Sequence, residues 1–127
     1  MPADPRYGAE VLRRFRELPG AGDLAPDASS AVVQGHADAA DHGARVLLSL
    51  RVRRGVVTEA RFRAYGCPFF IAAASWLTER LTGVSRDQVA EWDWREAADA
   101  LEIPPSRFGR LITLQDAVRA AAAAWRG

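Results

Sequence analysis

The segment Ala60-Arg61-Phe62-Arg63-Ala64-Tyr65-Gly66-Cys67-Pro68 decides how this chain reads. Residues 56–64 alternate, with Val56, Ala60 and Phe62 on one face, and so predict a strand. Gly66 turns the chain. Pro68 then opens an apolar run, Phe69 to Trp76, which predicts a mostly buried helix over 68–82. Proline suits a first helical position, because the N–H it lacks would have no partner there. Cys67 therefore stands at a helix start. Free backbone N–H groups and the helix dipole favour a thiolate at such a place, the form that binds metals or attacks sulfur. The plainer reading of Cys67 is a small buried hydrophobe.

Upstream, residues 44–52 alternate with Val46, Leu48, Leu50 and Val52 on one face, so the two runs form a hairpin. A two-residue loop would set Leu48 beside Arg61. A three-residue loop, Arg53-Arg54-Gly55, pairs Val52 with Val56, Leu48 with Ala60 and Val46 with Phe62. That register keeps one face apolar and puts glycine where a left-handed residue is wanted; it is the one expected. On the other face Arg51 then meets Val57, Leu47 meets Arg61 and Arg45 meets Arg63, with Glu59 the hairpin's lone acid. Such a face is either a solvated strand surface or a dock for an acidic partner.

Further out, Ala31-Val32-Val33-Gln34 is a short strand candidate. Residues 35–43 show no period and read as a loop holding His36, Asp38, Asp41 and His42. Residues 7–17 predict a helix with Val11, Leu12, Phe15 and Leu18 as its apolar stripe and Arg13, Arg14 and Arg16 off it; residues 19–30 read as a loop. Ser85-Arg86-Asp87-Gln88 has capping-box spacing, and Asp93-Trp94-Arg95-Glu96 repeats it. Beyond Pro104-Pro105, residues Leu114, Ala117, Val118, Ala121, Ala122 and Trp125 stripe a final helix. The order predicts an α+β fold, a three-stranded antiparallel sheet with helices packed on one face, as a single domain over residues 1–127.

Composition narrows the function. All 17 basic residues are arginine, which excludes Schiff-base catalysis and a Walker-A lysine. A net charge of +1 gives no argument for nucleic acid. No apolar stretch approaches the roughly 18–20 residues that span a bilayer, and Met1 to Arg6 carry no signal-peptide core, so a cytoplasmic protein with no membrane partner is expected. One cysteine cannot form an intrachain disulfide.

Residues 60–83 resemble the third strand, cysteine turn and following helix of the NifU/IscU family of iron–sulfur cluster scaffolds. Ile103-Pro104-Pro105-Ser106-Arg107 resembles the family's leucine-proline-proline-valine-lysine segment, which an Hsp70-type chaperone recognises. Leu114 to Ala121 resemble its last helix. The resemblance implies the family fold. It also sets the family's first cysteine on His42, its second on Cys67, and its closing histidine–cysteine pair on Gly109 and Arg110.

The resemblance implies an iron–sulfur cluster assembly scaffold, a carrier rather than an enzyme. Its cargo would be an iron–sulfur cluster or a single zinc or iron ion held by Cys67 and His42, with Asp41 as a further ligand, although a chain with one cysteine that holds no metal is also compatible. The partners it implies are a cysteine desulfurase and the chaperone at Ile103, Pro104, Pro105, Ser106 and Arg107; the sequence leaves open whether a second copy joins in a homodimer. Two alternatives stand beside it. One is a family member that no longer assembles clusters and acts as adaptor or regulator of the desulfurase or chaperone. The other is a persulfide acceptor at Cys67.

Overall fold

The computed structural model describes residues 7–126; the expectation for Met1 to Arg6 lies outside them. In chain order the elements are α1 (Ala9–Glu17), β1 (Ala31–Ala39), a 3-10 turn (Ala40–His42), β2 (Ala44–Arg53), β3 (Val56–Tyr65), α2 (Pro68–Leu81), α3 (Arg86–Glu91), α4 (Arg95–Ala100), a second 3-10 turn (Pro105–Arg107) and α5 (Phe108–Ala124). The strands form an antiparallel sheet in the order β1-β2-β3. Val46, Leu48, Leu50, Val52, Val57, Ala60 and Phe62 are buried on its inner face, where α2 and α5 cover it. The expected α+β architecture is the one found. Among the described residues no helix is long and apolar enough to cross a membrane.

The hairpin register differs from the expected one. The turn has two residues, Arg54 and Gly55, both left-handed at φ 53° and 80°, and Arg53 pairs with Val56. That backbone twist matches the twist of the flanking strands, so the short loop wins over the longer one. A bulge between Arg51 and Val52 then takes up one residue, so that Leu50 meets Ala60, Leu48 meets Phe62 and Val46 meets Ala64. The bulge does for the apolar face what the longer loop was expected to do.

β1 also runs further than expected. Gly35 to Ala39 continue the strand opposite Leu48 to Ala44, so His36 sits on a strand and only His42 sits on a turn. No period shows there because the inward positions carry little side chain. A Cβ at Gly35 would lie 1.9 Å from the Ala117 carbonyl oxygen, which means that the α5 backbone rests directly on the strand.

In α1 the buried residues are Val11 and Arg14, while Phe15 and Leu18 are exposed, which corrects the expected stripe. Arg14 is buried because it is paired there. Its guanidinium donates to Ser75 Oγ at 3.2 Å and to Glu79, and it lies 2.7 Å from Glu10. Ser75 Oγ in turn donates to the Pro19 carbonyl at 2.6 Å, fastening the end of α1 to α2. The capping box at Ser85 and Gln88 forms in both directions. The expected repeat at 93–96 does not form: α4 starts after Trp94 with no side-chain cap, Asp93 accepts from the Arg95 N–H at 2.8 Å instead of from Glu96, and Glu96 turns to Arg80.

The outer face is not the unbalanced arginine surface expected from the hairpin alone. Arg51 lies opposite Glu59 and Arg63 opposite Leu47. Arg51 also reaches Asp27 at 3.1 Å, Arg61 pairs with Glu59 at 2.7 Å, and Arg63 forms a two-pronged pair with Asp23 at 2.7 and 2.6 Å. Besides Glu59 of β3, the acids are Asp23 and Asp27 of the 19–30 segment, which straps across the face. The Asp23 carboxyl is held below its ordinary value of 3.8 mainly by Arg63, and that of Asp27 mainly by the Ser29 N–H and the Ser30 hydroxyl. A depressed carboxyl stabilises the fold above its unfolded pKa and ceases to as pH falls through its folded pKa. The strap is therefore expected to loosen as pH drops below 3.8. The Arg63 Nε–H proton resonance should move to the position of a free arginine in that window. A resonance that stays unchanged as the pH falls well below 3.8, with the protein still folded, would rule this out.

Candidate functional site

Cys67 is the residue before α2, in extended geometry at φ −72° and ψ 163°. Its carbonyl accepts the Ile71 N–H at 3.1 Å, so its backbone already belongs to the first turn. The thiol makes no capping bond and is half-buried against the core. Gly66 makes the preceding turn. It has a φ of 157°, and a Cβ on it would stand 2.9 Å from the ring of Phe70. The sequence Gly-Cys-Pro thus does three jobs in order: it clears Phe70, presents the thiol, and starts the helix.

His42 closes the 3-10 turn between β1 and β2, and the left-handed Gly43, at φ 60°, leads out of it. The last ladder pair of β2 and β3 is Arg45 with Tyr65. Gly43 and Cys67 each lie two residues beyond that pair, so His42 and Cys67 belong to the same end of the sheet. The start of α5 reaches that end too, because a Cβ on Gly109 would meet His42 Cε1 at 2.8 Å. Asp41 is exposed, 3.7 Å from His42 Nε2. Among the described residues no three His, Cys, Asp or Glu side chains gather into a group able to hold a metal, so Cys67, His42 and Asp41 are not drawn together as a three-ligand set. His36 is exposed on the outer face, 3.9 Å from Asp38.

Two shallow clefts flank this end. One of about 400 Å³ is lined by Asp38, Ala40, Gly43, Ala44, Arg45 and Tyr65, and one of about 240 Å³ shares Arg45 and Tyr65 with it. Tyr65, 73% exposed, is the wall between them. Sequence reading ends the strand at residue 64 and gives Tyr65 no role of its own. Its position directly before Gly66-Cys67 was the available signal.

Ile103, Pro104, Pro105, Ser106 and Arg107 lead into α5. Ile103 is buried in the core, Pro104 is extended, and Pro105 starts the 3-10 turn. A partner that meets the segment in this state reaches Pro105 and Ser106, which are exposed, but not Ile103. Gly109 and Arg110 follow in the first turn of α5. Arg110 Nε is buried and has no hydrogen-bond partner among the described residues.

Comparison with known proteins agrees with this geometry. The family model described as the NifU-like N terminal domain matches residues 6–127. The iron-sulfur cluster assembly scaffold protein IscU of Escherichia coli K12 is 36% identical over 72 residues, 57% of this chain and 56% of that protein. The mitochondrial iron sulfur cluster assembly protein 2 of Saccharomyces cerevisiae is 27% identical over 77 residues, 61% of this chain and 49% of that protein. The chain thus spans about half the length of the curated relatives it matches. Among solved structures, the fold is similar to a protein described as a cluster assembly scaffold for the SUF system from Fervidobacterium islandicum. The TM-score is 0.71 at 12% identity, covering 92% of this chain and 96% of that one. A NifU-like protein from Brucella abortus gives a TM-score of 0.54 at 21% identity, covering 92% and 81%. With the family match running through both the Cys67 turn and the α5 start, the chain belongs to the family of NifU-like N-terminal domains.

Proposed function

We propose that this protein serves in iron–sulfur cluster assembly as a scaffold-like carrier rather than a catalyst. Iron and sulfide, or a formed cluster, are its cargo. The observation that carries this reading is the placement of Cys67 at the start of α2, inside a family match that spans residues 6–127. The thiolate of Cys67 and a ring nitrogen of His42 are donors of the kinds that hold ferrous iron, zinc and cluster iron. Among the described residues no three such donors gather there, so the remaining positions on the cargo fall to sulfide, a second chain or a protein partner. A cysteine desulfurase as sulfur source and an Hsp70-type chaperone at Pro105 and Ser106 are the partners this role calls for.

The short donor set favours one other reading, an adaptor that binds the same partners without assembling a cluster. Anaerobic reconstitution with ferrous iron and sulfide separates the two. For a scaffold, wild type develops visible absorbance and holds iron through a desalting column. Cys67→Ser should then retain at least about tenfold less iron, and His42→Ala should also retain less. Wild type without colour or retained iron would leave the adaptor. Equal iron in all three proteins would show that Cys67 and His42 are not the donors.

A further inference from the structure

Gly109 stands in the first turn of α5, and its backbone does not call for glycine, because it is absent from the residues with positive φ. Glycine is less favourable than alanine at such a helical position. What does call for it is the neighbour. A Cβ at 109 would lie 2.8 Å from Cε1 of His42, 3.4 Å from Nδ1 and 3.8 Å from Nε2. The imidazole lies in the space that a side chain there would fill. The Asp41 carboxylate is 3.7 Å from Nε2.

We propose that Gly109 is a positioning residue for His42: the notch left by its missing side chain sets where the imidazole, and so its donor nitrogen, sits at the sheet end that carries Cys67. The family resemblance puts a histidine at position 109. In this chain the imidazole comes from the turn 40–42 instead and lies over that same position. The site has kept one imidazole at the head of α5 while moving it to a different element. The use made of the ring rests on the scaffold reading; its placement does not.

The test uses the fact that the chain has two histidines, and therefore two imidazole Hε1 resonances, assigned with His36→Ala and His42→Ala. The His42 signal should show a nuclear Overhauser contact to the Gly109 α-protons. Gly109→Ala should remove that contact and shift the His42 signal while leaving that of His36 in place. Titration with Co2+, read by its visible bands, should show Gly109→Ala weakened about as much as His42→Ala, on the order of tenfold. The double variant should be no weaker than His42→Ala alone, since both changes act through one ring. It also guards against misfolding as an explanation. With the ring gone, alanine at 109 has room and suits the helix, so the melting temperature should rise relative to His42→Ala. An unmoved His42 signal in Gly109→Ala, or additive losses in the double variant, would overturn the proposal. If wild type takes up no Co2+, the donor role of the scaffold reading fails, while the nuclear Overhauser contact and the shift still decide where the ring sits.

Discussion

Gly35→Ala is expected to cost about 3 kcal/mol or more, a large share of the roughly 5–15 kcal/mol that holds a domain of this size together. The added carbon would stand 1.9 Å from the carbonyl oxygen of Ala117 and 2.5 Å from the amide nitrogen of Ala121. Both are helix backbone atoms. They cannot rotate aside as a side chain can, so α5 must lift from β1. Ala117 and Ala121 are fully buried, and the layer they seal would open with them. Urea unfolding followed by circular dichroism measures the loss. A variant within about 1 kcal/mol of wild type would mean that α5 does not rest on the strand at this point.

Phe70→Ala is expected to be of similar severity, about 3–5 kcal/mol, because it empties the space of a fully buried ring. It also bears on the site. The Phe70 ring lies beneath Gly66, the residue that turns the chain into Cys67. Phe70→Leu keeps most of the volume and should keep the fold. It should nevertheless free the turn, so that Cys67 in the folded protein reacts faster with iodoacetamide than in wild type. An unchanged rate, alongside lowered stability, would confine Phe70 to the core and separate it from the thiol's setting.

Much of this architecture is legible in the sequence where the local signal and the burial agree. The alternation in residues 44–52, the inward Ala60 and Phe62, the Gly-Cys-Pro entry to α2, the capping box at Ser85 and the stripe on α5 all hold in the fold. Val56, expected on the inner face, is instead exposed, and Val57 takes the inward place because the bulge shifts the register there. The signals that failed are those set by distant partners. The second half of β1 carries no alternation, because its inward side meets a helix backbone rather than large side chains. Arg14 reads as a surface residue until Ser75 and Glu79, more than 60 positions away, supply its partners. The arginines of the hairpin look unbalanced because two of their acids, Asp23 and Asp27, arrive from a segment with no period of its own. The bulge beside Val52 is invisible to a register count that allows only whole loops.

The site divides in the same way. Cys67 is legible because its chemistry follows from three consecutive residues. His42 is legible only through the resemblance, and its seat on Gly109 only through the fold. Counting from Pro104-Pro105 makes Gly109 look like a lost ligand position. The structure shows an imidazole lying over it.

The outer edge of β3 is bonded at two places. Phe62 exchanges backbone hydrogen bonds with Gly20 and Gly22, and Val57 does so with Gly83 and Val84. Neither cover is a strand of the sheet; one is the tail of α1 and the other the tail of α2. The first is moored by Arg14 and by the bond from Ser75 to Pro19. The N-terminal helix therefore acts as a guard as well as a packing element. While it is docked, the β3 amides at Phe62 are occupied. Once it swings away, that edge becomes a template on which the strand of another molecule can add. The polar network around Arg14 thus also keeps covered an edge on which the strand of another molecule could otherwise add.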